Sequence, residues 1–175
     1  KGDTMLRGFG RGASLGILAG LALSLIACSQ FGKLQAKRAI KDAHAQYKLQ
    51  DYKKAARLYE EAITADPELS VAYFYLANSY DNLFSSSRKG QPENDANIEK
   101  AVKNYQLSSQ KLAGATGETE KMVARRSLEY LVAAYGADKL NAPDQAEPVV
   151  QKMIQMDPTE PTNYFALARI YEDAG

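Results

Sequence analysis

The side chains in this sequence that could do covalent or metal chemistry are few, and they stand apart. There is one cysteine, Cys28, and one histidine, His44. A metal site of the usual kind draws on a cluster of such ligands at fixed spacings, and none can be assembled from these two. A lone cysteine also rules out an intrachain disulfide. Glu60-Glu61 and Glu118-x-Glu120 are adjacent acids, but on exposed helix positions they read as solubilising charge. The glycines of Gly8-Phe9-Gly10-Arg11-Gly12 resemble a phosphate loop only superficially and lie in a leader segment. No nucleophile stands beside a base, so the sequence predicts no catalytic residue, no metal and no cofactor. What remains is recognition chemistry, carried by rows of cations, amides and aromatic rings.

Those rows need helices to position them. Asp66-Pro67 followed by Tyr73-Phe74-x-Leu76-Ala77-x-x-Tyr80 recurs as Asp157-Pro158 followed by Tyr164-Phe165-x-Leu167-Ala168-x-x-Tyr171. Within each copy the large, large, small, large residues at i, i+3, i+4 and i+7 fall on one side of a helix, and the alanine lets a neighbouring helix approach closely. A repeat buries that side only against its neighbour, so the chain is predicted to be a stack of helix pairs. Tyr52, Ala55, Tyr59 and Ala62 carry the helix before the first copy. Asp51 is placed to cap it, and Asp66-Pro67 ends it.

This order of Tyr, Ala, Tyr, Ala and Pro, followed by Tyr73, Leu76, Ala77 and Tyr80, resembles the tetratricopeptide repeat. The resemblance implies an all-α fold, a right-handed superhelical solenoid of antiparallel helix pairs in units of 34 residues. It covers nearly all of 36–175, in units of about 36–69, 70–115, 119–160 and an incomplete 161–175. Asp42 stands where the family prefers leucine. In the second unit the run Ser85 to Asn97 reads as an inserted loop, 85–97, before Ile98, Ala101, Tyr105 and Ser108 resume helical spacing. The fourth unit stops after one helix, which reads as a piece of a longer protein. Lys1 in place of methionine implies either a start upstream of an initiator at Met5 or a cut from something longer.

The first 27 residues are a different material. Arg7 and Arg11 precede a continuous apolar run from Ala13 to Ala27, the layout of an export signal. It is shorter than the roughly 20 apolar residues a spanning helix needs. A retained anchor is the alternative. The ending Leu25-Ile26-Ala27-Cys28 resembles the lipobox of bacterial lipoproteins. That resemblance implies cleavage before Cys28 and acylation of its thiol and new amino terminus, with 28–35 as acylated end and short linker. Several acyl chains on one residue are what make a lipid anchor stable, because one chain alone binds marginally. Ser29, in place of an aspartate, implies the outer membrane, facing the periplasm.

In the first helix of each unit the residues next to the core row line up on another face. By the resemblance this face lines a concave groove that receives peptides. Its residues are Lys37, Lys41, His44 and Lys48 in the first unit, Phe74, Asn78 and Asp81 in the second, and Phe165, Arg169 and Glu172 in the fourth. Some family members hold a partner's terminal carboxylate with Lys, Arg and Asn here. Asn78 matches that arrangement, and Phe74 departs from it. The lysine row also reads as a solvated helix face, or as a contact for anionic headgroups. With a formal net charge of +1, nothing points to nucleic acid. The expected function is that of a lipid-anchored scaffold binding a partner protein or peptide. The alternative is a docking arm for an envelope enzyme whose catalytic domain follows Gly175.

Overall fold

The computed structural model describes residues 12–174, with side-chain surroundings from Gln30 to Glu172. Its elements are α1 (Gly12–Lys48), α2 (Tyr52–Ala65), α3 (Ser70–Leu83), α4 (Pro92–Lys111), α5 (Glu118–Tyr135), α6 (Pro143–Met156) and α7 (Pro161–Ala174), with a 3-10 turn at Ser86–Arg88. Each helix packs on the next along the chain, and α3 also touches α5. The architecture is the expected all-α solenoid of helix pairs, with no strand among the described residues.

Local chemistry explains the duplicated motif. The Asp66 backbone N–H bonds Ala62 O at 2.9 Å and the Asp157 N–H bonds Met153 O at 3.0 Å, closing α2 and α6. The side chain of each aspartate then accepts the amide two residues on, from Glu68 and from Thr159, both at 3.2 Å. This Asx turn satisfies the N–H that follows each proline, which has no N–H of its own. The tyrosine that opens each copy donates its hydroxyl back to the proline carbonyl, Tyr73 to Pro67 at 3.2 Å and Tyr164 to Pro158 at 2.9 Å. The last tyrosine of each copy reaches the preceding helix, Tyr80 to Glu60 at 2.6 Å and Tyr171 to Glu147 at 2.8 Å. One sequence signature therefore encodes a helix stop, a turn and two anchoring bonds.

What differs between the copies is cover. Tyr73, Leu76, Ala77 and Tyr80 are all buried, whereas Tyr164 is 47% and Tyr171 53% exposed. In α3 this side meets its neighbours, and in α7 it faces solvent. The α1–α2 contact depends on small residues. Gly32, Ala36, Ala39 and Ala43 form a stripe on α1, and a Cβ at Gly32 would lie 2.9 Å from the Ala65 carbonyl oxygen. Any side chain there would force α1 away from the end of α2.

Two boundaries differ from the sequence reading. The helix runs unbroken through 28–35, where a short linker was expected. The insertion is loop only to Gln91, because Pro92 starts α4 and residues 92–97 form its extra first turns. Proline at the first helical position, with Glu93 and Asp95 in the first turn, favours starting there. Asn94 ties this start to the loop, its side chain bonding both the amide of Ser85 (2.8 Å) and its carbonyl (3.1 Å).

Candidate functional site

The first helices of the pairs, α1, α3 and α5, surround a cleft of ≈ 380 Å³ lined by Tyr47, Tyr52, Asn78, Asp81, Asn82, Tyr130 and Lys139. Lys139 also lines a larger cleft of ≈ 790 Å³ between α5 and α7, where Phe165 and Arg169 form the far wall. The two share Lys139, and together they are called the trough, with Tyr52 at one end and Arg169 at the other.

Its floor is aromatic. Tyr47 meets Tyr52 and Tyr75 edge-on, with centroids at 5.5 and 5.6 Å, and Phe74 meets Tyr75, Tyr105 and Tyr130 within 6.0 Å. Tyr105 stacks on Tyr130 at 5.6 Å. The ladder crosses three units, so each ring is held by rings from the next, and offset or edge-on contacts of this kind add to burial. Burial, and then the neighbouring tyrosines, push the Tyr47 hydroxyl up to about 12. The Tyr105 hydroxyl is raised too, by burial first and then by the Asp81 carboxylate. Both stay protonated and act as hydrogen-bond donors at neutral pH.

A polar network lies over the rings. Tyr47 donates to the Asn78 side-chain oxygen, and the Asn78 amide donates to the Tyr105 hydroxyl at 3.2 Å. Tyr105 donates to Asp81 at 3.3 Å, and Lys139 pairs with Asp81 at 2.5 Å. Asn82 donates to both the carbonyl and the side-chain oxygen of Asn78. The Asp81 side chain is only 7% exposed, a burial that a carboxylate tolerates with a cation and a hydroxyl in contact. The network fixes the rotamers of the residues it joins.

The predicted groove residues divide into three sets. Asn78, Asp81, Phe165 and Arg169 do meet the trough. Phe74 lines neither cleft and lies buried beneath them at 7% exposure, its ring met edge-on by Tyr130, whereas Asn78 lines the smaller cleft although it is only 5% exposed, held there by Tyr47 and Tyr105. Lys37, Lys41 and Lys48 on α1 and Glu172 on α7 stay exposed and line none of these clefts. His44 turns inward instead. Its Nδ1 lies 2.6 Å from the Tyr59 hydroxyl, its ring meets Tyr75 edge-on at 4.8 Å, and burial followed by Lys48 lowers its pKa. The side chain of Cys28 lies outside the described residues.

Tyr47, Tyr52, Asn82, Tyr130 and Lys139 line the smaller cleft and were missed by sequence reasoning about the groove. Lys139 sits in the α5–α6 loop, 58 positions from Asp81, and no periodicity marks it. Tyr130 had a signal, since it stands directly beside the core residue Leu131 on α5, as Phe74 stands beside Tyr73 on α3. Among the described residues, no group of three or more His, Cys, Asp or Glu could hold a metal ion. The trough offers amide and hydroxyl donors, ring faces, and the guanidinium of Arg169, which makes no ion pair among the described residues. Such a surface suits reversible recognition of a chain with both polar backbone and bulky side chains.

No family profile and no curated protein matches this sequence. A solved structure described as the crystal structure of MamA protein aligns over 81% of this chain and 83% of its own length, at 17% identity and a TM-score of 0.33.

Proposed function

We propose that the chain is a tetratricopeptide-type scaffold that holds an extended segment of a partner protein in the trough between Tyr52 and Arg169. The observation that carries this reading is the preorganised wall: Asn78, Tyr105, Asp81 and Lys139 bond one another and leave the trough open above the ring ladder. A partner's backbone would bond Asn82 and the tyrosine hydroxyls, its bulky side chains would rest on Tyr130 and Phe165, and an acidic group would pair with Arg169. Loss of partner recovery on Tyr52→Ala and Arg169→Glu, with helix content unchanged, supports the reading. Equal recovery would place the contact elsewhere.

The same proposal locates the protein in a bacterial cell envelope, lipid-anchored through Cys28 at the outer membrane and facing the periplasm. It rests on Leu25-Ile26-Ala27-Cys28 after a basic and apolar leader. Among the described residues no helix is long and apolar enough to cross a membrane. Cys28→Ser abolishes labelled-palmitate incorporation and blocks processing or releases the chain from membranes. Unchanged labelling and fractionation contradict the anchor.

A further inference from the structure

The part of α1 that precedes its contact with α2 carries two large apolar residues in the open. Phe31 is 71% and Leu34 67% exposed. Around them stand Lys33, Lys37, Arg38 and Lys41, all exposed, with no acid between Gln30 and Lys41 and no ion pair to any of them among the described residues. At about 100° per residue, Gly32, Ala36, Ala39 and Ala43 cluster on the side turned to α2. The cations and the two apolar residues fall on the arc opposite. The helix backbone continues without a break toward Gly12, through the apolar run that ends at Ala27.

We propose that this arc of α1 rests on an anionic lipid surface, with Phe31 and Leu34 immersed at headgroup depth and Lys33, Lys37, Arg38 and Lys41 against lipid phosphates. Three observations select that occupant. The arc is continuous on the same helix with the apolar run that ends at Ala27 and, where that run is cleaved off, starts three residues after Cys28, apolar residues flanked by cations are the pattern of an interfacial helix, and a second copy would bring four cations against four cations, which repels. The geometry also sets the orientation. Leu34 lies about 9 Å and Lys41 about 20 Å along the axis from Cys28, whereas charge attraction fades over about 8 Å at physiological salt. An upright helix would leave Lys41 idle, so α1 must recline, and the α2 contact on its opposite side leaves that motion free. The scaffold would then lie along the membrane. This contact is independent of the trough and does not require acylation of Cys28.

Because Cys28 is the only cysteine, depth can be read at one position at a time. The full chain carrying Cys28→Ser and Leu34→Cys is labelled with a fluorophore and reconstituted in vesicles of phosphatidylcholine, or of phosphatidylcholine and phosphatidylglycerol in equal parts, each with a headgroup-level nitroxide lipid. Quenching at position 34 on the mixed vesicles is expected, with none at Leu49→Cys, which is exposed just past the far end of α1. At roughly fivefold per cation in the balance between reclined and lifted helix, Lys33→Gln, Lys37→Gln and Arg38→Gln together should shift that balance about a hundredfold and abolish the quenching. An unquenched position 34, equal quenching on neutral vesicles, no effect of the three substitutions, or burial of the label by concentration-dependent self-association overturns the proposal.

Discussion

Tyr73 and Tyr164 occupy the same place in the duplicated motif and make the same hydrogen bond to a proline carbonyl, so replacing each with alanine isolates what a neighbouring repeat contributes. Tyr73 is 8% exposed and Tyr164 47%. For a tyrosine that can bury about 200 Å², the difference in burial is roughly 80 Å². At about 25 cal/mol per Å² this is worth about 2 kcal/mol. Tyr73→Ala should cost about 3–5 kcal/mol, the range of a buried aromatic removed from a core, and Tyr164→Ala about 2 kcal/mol less. Urea unfolding followed by circular dichroism at the helix band measures both. Since stacked units can unfold separately, amide exchange in α3 and α7 should accompany it. Exchange in α7 alone should quicken in Tyr164→Ala, while Tyr73→Ala loosens α2, α3 and α4 together. Equal losses at the two positions, or a larger one at Tyr164, would refute the claim that neighbour burial makes this fold.

Stability should fall as the pH drops through the histidine range. The His44 ring is half-buried with its Nδ1 2.6 Å from the Tyr59 hydroxyl, and burial, followed by the Lys48 charge, favours the neutral imidazole and holds its pKa below the usual 6.5. The unfolded chain therefore takes up the proton first. The His44 contribution is complete above about pH 6.5 and is lost below it, down through the lowered folded value. Urea midpoints at pH 8 and pH 5 check this, and His44→Gln should flatten that part of the difference. Lys139→Met removes the cation from a carboxylate that is 7% exposed, and breaking such a pair from one side costs about 3–5 kcal/mol. The Asp81→Asn, Lys139→Met double variant should recover part of this loss in the same unfolding assay.

The elements that could be read in advance are those whose cause is local. Asp66-Pro67 and Tyr73 lie within one turn and one helix, and their bonds span two to six residues. Pro92, Glu93 and Asp95 likewise marked the start of α4, although the serine-rich run before them masked it. The trough was harder because exposure there is set by distant partners. Phe74 stands on the predicted face of α3, yet Tyr130 from a later helix packs against its ring and it is buried. His44 falls in register with Lys41 and Lys48, but Tyr59 and Tyr75 draw it inward. Lys139 joins Asp81 only through the stacking of the second and third units. Periodicity along one helix carries none of that information.

The reading of the trough as a partner-binding surface is tested most directly by a photo-crosslinking amino acid placed at single positions in cells. Asn82 lines the trough between Tyr52 and Lys139, while Glu61 is exposed on α2 and lines neither cleft of the trough. A discrete crosslinked partner from position 82, absent from position 61 and lost on adding Arg169→Glu, is the predicted result. Crosslinks from position 61 with none from position 82 would contradict the account.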